Sequence, residues 1–291
     1  IAVVGIGLGV MVLDLTLAIM NGFHAELRRS FVDTMPMVTI SSGRAEGLGD
    51  VGPTMQRLLV DPDVVGVAPY IRQEVIVSKP RRLGKARSRG AIAWGIDPGR
   101  VDAVQPFAEQ LSPGPEALAR LAEPAAVPRA ILGIELGMGL YAGVGDTVVV
   151  TAPRGEVSLE GMEAESREFV VAGFLDSGMY EFDSRFLYVE LDAARDFFGY
   201  ADTGAGLLGV RVADMMRADD VAARLERTLG PSYRAVDWMS LNQNLFQWVR
   251  LEKVMMFLLL GLIILVATFN IVGILTMMVG ERRREIGILL S

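Results

Sequence analysis

The chain has no cysteine and only one histidine, His24, in 291 residues. The first absence excludes disulfide staples, thiolate zinc sites, iron–sulfur clusters and thiol catalysis. The second removes multi-histidine metal centres and most imidazole acid–base chemistry. Positive charge is also in deficit: 28 Lys and Arg against 35 Asp and Glu leave a net charge of −7. That balance argues against a nucleic-acid partner, because binding phosphates needs a positive face. Catalytic signatures are missing as well. There is no Walker A run, no GxSxG and no HExxH, and HAE at His24 lacks the CxxC of a deaminase. Gly204, Gly206 and Gly209 spell GxGxxG, but YADT precedes and the strand-like VRVA follows. A dinucleotide site needs a strand before and a helix after, so this stretch is read as loop. No catalytic residue, metal site or cofactor is expected.

Apolar residues are present in ordinary proportion, 51%, but they are concentrated at the two ends. Val254 to Val279 reads VMMFLLLGLIILVATFNIVGILTMMV without a charge. As a helix it is about 39 Å long, more than the roughly 30 Å hydrocarbon core of a bilayer, so it spans with tilt. Ile1 to Met20 is a second apolar run, interrupted by Asp14. It lacks the basic start and small-residue cleavage site of a signal peptide, and Gly5, Gly7 and Gly9 suit close helix packing in a membrane. A carboxylate there faces a bundle interior or water; a hydrated cavity mouth is favoured because Asn21 follows soon after. Arg282, Arg283 and Arg284 put the end of the second span in the cytoplasm. Two spans return the start of the chain to the same side and leave everything from about residue 30 to about 245 outside. Neither Ile1 nor Ser291 reads as a natural terminus, so the chain is read as part of a longer protein, with further spans expected after residue 291.

The interior reads as an α+β domain, because its strands and helices alternate without the regularity of a doubly wound sheet. Strands are expected at MVTIS (Met37–Ser41), VVGVAPYI, EVIVS, AIAWGI (Ala91–Ile96), Thr147–Thr151, REFVVAGFL, RFLYVEL, LLGVRVA and YRAVDW. Helices are expected at Pro53–Leu59, Glu116–Leu121, Ile134–Tyr141, Asp192–Phe198 and Ala218–Leu229. The organisation is a first transmembrane helix at 1–20, a stalk at 21–35 and the α+β domain at 36–239. A second stalk follows at 240–253, then the second transmembrane helix at 254–279 and a cytoplasmic helix start at 280–291.

Two polar stretches stand out. Lys79, Arg81, Arg82, Lys85, Arg87 and Arg89 lie between two strands. They read as a solvated hairpin tip, with contact to anionic lipid headgroups as the alternative. PRGEVSLEGMEAE, 153–165, reads as a long loop or as a projecting arm that recruits a partner. Asn270 sits within the second span and is expected to bond to a neighbouring helix or to line a cavity.

Several stretches together resemble the lipoprotein-releasing ABC permeases of Gram-negative bacteria, the LolC/LolE type, within the MacB/FtsX-like mechanotransmission superfamily. They are MNGFHAELR (Met20–Arg28), TMPMVTIS (Thr34–Ser41), GIDP (Gly95–Pro98), SGMYEFDSRFLYVEL (Ser177–Leu191) and the run from Leu251 to Ser291. The resemblance implies a MacB-like periplasmic core between two of four membrane helices, in an inner-membrane subunit without catalysis of its own. It implies a second permease subunit, in a homo- or heterodimer, and an ABC ATPase subunit that meets the coupling helix through Glu281, Arg282, Glu285 and Ile286. It implies lipoprotein substrates whose acyl chains enter a cavity lined by Leu13, Leu17, Met20, Phe257, Leu260, Ile264 and Asn270, beside membrane lipid. In the LolC type a hook between two strands recruits the periplasmic lipoprotein carrier. The insertion at 153–165, with Pro153, Arg154, Val157, Leu159 and Met162, occupies that place but lacks a second proline. SGMYEFDS is closer to the LolE-like form, and one homodimeric permease doing both jobs is the reading that reconciles the two. Two alternatives remain: a related permease for efflux or cell-wall hydrolase regulation, and a membrane-anchored periplasmic sensor or binding module.

Overall fold

The computed structural model describes residues 33–43, 47–80, 87–158 and 161–289, together with 7, 11, 14–20, 22 and 31. The chain divides into two compact units, one of Arg29–Leu241 and one of Ile1–Arg28 with Asn242–Ser291.

The first unit is built on one sheet of ten strands among the described residues. Its first half reads β1 (Val38–Ser42), α1 (Gly52–Leu58) and β2 (Val64–Lys79). An inserted block follows: β3 (Arg87–Ile96), α2 (Val101–Val104), β4 (Leu111–Ser112), α3 (Glu116–Ala122), β5 (Arg129–Gly133), α4 (Ile134–Leu140), β6 (Thr147–Ser158), β7 (Gly161–Leu175), α5 (Tyr180–Asp183), β8 (Phe186–Glu190) and α6 (Leu191–Phe198). The unit is completed by β9 (Leu207–Val212), α7 (Ala218–Leu229), β10 (Tyr233–Asp237) and α8 (Trp238–Leu241). Strand order is β10–β1–β9–β2 at one side, antiparallel throughout. With α1 and α7 as crossovers, this is the split βαβ arrangement of a ferredoxin-like layer. Arg224 of α7 ties it together with a bidentate bond to Asp61, at 2.8 and 2.9 Å, and a second bond to Asp63. The guanidinium holds the Asp61 carboxyl below its ordinary range.

The inserted block closes on itself. β2 pairs with β3, β3 with β8, β8 with β5, β5 with β7, β7 with β6, and β6 returns to β2 through Ile76↔Thr151, Val77↔Val150 and Ser78↔Val149. Alternate residues of all six strands turn inward, among them Ile71, Val75, Ala93, Leu132, Val150, Phe169 and Leu187. That period-two pattern is what a small filled barrel requires. β5 and β8 run antiparallel, so the helices that follow them lie at opposite ends. There α4 inserts Leu136 and Leu140, and α6 inserts Leu191, Ala194 and Phe197. Gly95 leaves room for the second plug, since a Cβ there would meet Ala194 Cβ at 2.5 Å. The outer face of the same sheet forms a second core of Tyr70, Trp94, Phe107, Ile131, Phe186 and Tyr188 beneath α2 and α3.

Three sequence expectations change. VVGVAPYI and EVIVS are one continuous 16-residue strand, β2, because different neighbours occupy its two halves. β9 pairs with Val64–Tyr70, while β6 takes Ile76–Ser78. The polar insertion is mostly strand, because β6 continues to Ser158 and β7 starts at Gly161. Of the three GxGxxG glycines, Gly204 and Gly206 are outside any strand, but Gly209 lies within β9. A Cβ there would strike Tyr70 Cε2 at 2.5 Å and Pro36 Cγ at 2.7 Å.

In the second unit, α9 runs unbroken from Gln243 to Leu289, 47 residues and about 70 Å. The stalk, span and coupling segments read from the sequence are thus one helix. Val254–Gly280 is long and apolar enough to cross a membrane, with mean hydropathy 2.7 and no residue of its most apolar stretch buried. Its Thr268 and Thr276 hydroxyls donate to the carbonyls of Ile264 and Val272 at 2.8 and 2.7 Å, which satisfies both donors within the helix. Of the first expected span, residues 14–20 are helical and most of the rest lies outside the described residues.

Candidate functional site

The arm expected at 153–165 is a two-stranded ribbon. Pro153 faces Ala164, Arg154 faces Glu163, and Ser158 faces Gly161 after an irregularity in the register. β2 leaves the ladder after Thr151, and β5 pairs with β7 only from Val170 onward. Beyond those points β6 and β7 pair only with each other among the described residues, over about 20 Å of strand. Pro153, Arg154, Val157 and Met162 are placed on this ribbon by their backbone. Leu159 lies outside the described residues.

The chain enters and leaves the α+β unit at one point. Val38, first in β1, pairs with Asp237, last in β10. On the exit side Trp238 is buried; its backbone N–H donates to Met37 O at 2.9 Å and its indole to Met215 O at 3.2 Å. Asp237 Oδ1 accepts from the N–H groups of Met239 and Ser240, capping α8. On the entry side Phe31 meets Phe182 edge-on, with ring centroids 5.5 Å apart. Gln110 donates from Nε2 to Asp33 O at 2.7 Å. Neither Gln110 nor Phe182 was singled out from the sequence; the only signal was the SGMYEFDS motif that contains Phe182.

Phe182 is carried on a loop closed by Asp183. This carboxylate is 3% exposed and accepts from Ser177 N at 3.0 Å and Ser177 Oγ at 2.7 Å. Burial outweighs those bonds and, with Asp176 and Glu135 nearby, lifts its titration above the usual carboxylate range. A raised carboxyl favours the protonated folded state, so its contribution to stability is present in acid and lost as pH rises through the raised value. Asp183→Asn keeps an acceptor for Ser177 and removes the charge. Its melting temperature is expected to exceed that of wild type by about 2–4 °C at about pH 8, the gap closing toward about pH 4. A thermal melt series against pH checks this, and a gap independent of pH contradicts it.

Of the expected cavity residues, Leu13 lies outside the described residues, Leu17 is exposed and Met20 half-exposed. Phe257, Leu260 and Ile264 share one face of α9, and Asn270 lies roughly a third of a turn away from it. Glu281, Arg282, Glu285 and Ile286 all lie within α9. In the basic stretch, Arg81, Arg82 and Lys85 lie outside the described residues. Lys79 is paired with Asp146 at 2.6 Å and donates to Tyr141 O, and the Arg87 guanidinium sits 3.9 Å over the Tyr141 ring. These contacts are at the end of β2 remote from chain entry. A shallow polar hollow is lined by Asp192, Arg195, Asp196, Tyr200 and Asp202, where Arg195 is engaged by Asp192 and Gly204 O. No group of three or more metal-ligating side chains is found among the described residues.

The family model of the MacB-like periplasmic core domain matches residues 1–228. LolC of Xylella fastidiosa strain 9a5c, a lipoprotein-releasing system transmembrane protein, is 32% identical over 290 residues, covering 99% of this chain and 67% of that protein. The chain belongs to the LolC family. LolC of Neisseria meningitidis is 30% identical over 295 residues, with the same coverage, whereas LolE of Haemophilus influenzae is 22% identical over 295 residues, covering 98% of this chain and 67% of that protein. The crystal structure of the periplasmic region of MacB from Actinobacillus actinomycetemcomitans matches with a TM-score of 0.43 at 15% identity, over 74% of this chain and 94% of that one. The chain is therefore a LolC-type permease subunit with a MacB-like periplasmic core and a membrane-spanning helix.

Proposed function

We infer that this LolC-family chain draws lipoproteins out of the bacterial inner membrane and hands them to a periplasmic carrier, driven by ATP hydrolysis on a partner subunit. The observation that carries this reading is the likeness to LolC proteins along 99% of the chain. Leaving a bilayer costs about 0.8 kcal/mol per exposed CH₂, so removing acyl chains needs an energy source. A nucleotide shifts a conformational equilibrium only through its different affinity for the two states. The ATPase subunit would read and set that state at Glu281, Arg282, Glu285 and Ile286. Because they lie on the same helix as the span and the stalk, movement there is carried along α9. A second permease subunit completes a multi-pass assembly, and acyl chains lie against Leu13, Leu17, Met20, Phe257, Leu260, Ile264 and Asn270. The β6–β7 ribbon offers its backbone edges to the carrier, with Pro153, Arg154, Val157, Leu159 and Met162 of the 153–165 segment as the residues that would meet it.

Glu285→Lys reverses the charge on the coupling segment. In proteoliposomes holding the full-length permease and its ATPase, lipoprotein released per ATP hydrolysed is expected to fall about tenfold while hydrolysis persists. Release that keeps pace with hydrolysis in the variant rejects the coupling role.

A further inference from the structure

The entry stalk is fastened to the barrel as well as to the ferredoxin-like layer that it leads into. Two side chains make the attachment. Gln110 Nε2 donates to Asp33 O at 2.7 Å, and Thr34 Oγ1 donates to Gln110 Oε1 at 3.5 Å. The backbone carbonyl of the same Gln110 accepts from Asp176 N at 2.8 Å, one residue beyond the end of β7. Phe182 supplies the second point. Its ring lies edge-on to Phe31 at 5.5 Å and stacks on Phe186 at 5.0 Å, while Phe31 and Met35 pack on the outer core of the barrel sheet. The loop bearing Phe182 is closed by the Asp183–Ser177 bonds and by Phe182 N and Asp183 N donating to Met179 O.

Both points meet the protein at one end of β7. β4, which follows Gln110 directly, pairs Leu111 with Leu175, the last residue of β7. The other end of β7 is one strand of the ribbon. A 15-residue strand reaches about 50 Å; β6 pairs with it from Gly161 to Val170, and β5 takes over from Val170 to Leu175, joined by β4 at Phe174 and Leu175. Such a strand transmits a displacement of one end to the other, because packed sheet is stiff.

We propose that Gln110 and Phe182 are positioning residues that lock the last turn of the entry stalk to the base of β7, so that stalk movement is delivered to the ribbon. On the exit side Trp238 and Asp237 bond to Met37, Met215 and α8.

The test uses the full-length permease with its ATPase, comparing Phe182→Ala and Gln110→Met with wild type; Phe182→Leu serves as the conservative variant. Amide hydrogen exchange over residues 33–35 is expected to quicken at least about tenfold in the first two variants. Lipidated protein released per ATP is expected to drop about tenfold while hydrolysis stays within about twofold, with Phe182→Leu recovering most of both. A purely structural role would lower the domain's thermal stability and leave the release ratio of the folded fraction intact. Unchanged exchange overturns the lock, and faster exchange with an unchanged release ratio overturns its role in transmission. The proposal rests on the lipoprotein-release reading for that ratio. A wild-type complex that releases no lipidated protein refutes that reading, while the exchange measurement still judges the lock by itself.

Discussion

Gly133→Ala lowers the melting temperature of the α+β domain by about 6–12 °C, the equivalent of about 3 kcal/mol in a unit of this size. The cause is steric, since the backbone at Gly133, φ −57 and ψ 141, is open to any residue. A Cβ there would meet Asp183 O at 2.1 Å, Asp183 C at 2.6 Å and Asp183 Cα at 2.8 Å. All three are main-chain or Cα atoms, so no flexible side chain can swing aside. Relief requires moving β5 with its barrel plug α4, or the loop that carries Phe182, and each is packed into a core. Gly90→Ala is the control: a Cβ on that β3 glycine meets nothing within 4 Å, and its melting temperature is expected to stay within about 2 °C of wild type. Equal melting of the Gly133 variant and wild type would show that the strand–loop approach yields freely.

Cutting away the ribbon produces the opposite profile, a lost activity on an intact fold. Ala152 and Glu165 face each other in the ladder, so residues 153–164 can be replaced by Asn-Gly, which favours a two-residue hairpin. Ala152 is the last inward core residue of β6, and Phe169 the first of β7, among the described side chains, so the barrel interior keeps every one of its described members. Melting is expected to move by no more than about 2 °C. Transfer of lipoprotein to the soluble carrier, followed in proteoliposomes, is expected to fall more than about tenfold. Undiminished transfer would remove the ribbon from the handover and leave carrier docking to another face.

The ribbon was also the hardest element to read. Pro153, Gly155, Gly161 and the charged side chains at Arg154, Glu156, Glu163 and Glu165 disfavour strand on propensity. They form one because β6 and β7 are already paired inside the barrel and keep that register outward to Arg154, shifting only before Ser158. The same reasoning explains β2. Arg72 and Gln73 interrupt its apolar run, yet β3 pairs with it without a break from Tyr70 to Lys79. Gly209 looked like part of a loop motif, and only the approach of Tyr70 and Pro36 reveals why a strand needs a glycine there.

The sequence alone determined which segments are apolar enough to leave water, that an α+β domain separates the two ends, and most of its helices to within a residue or two. These follow from periodicity and composition, which are local. Closure of the six strands into a barrel, the ribbon that grows from it and the Gln110–Asp33 bond across 77 residues were decided by tertiary structure. An alternating pattern tells which face of a strand is buried; it does not tell which distant strand lies beside it, because that choice is made by packing of the whole core.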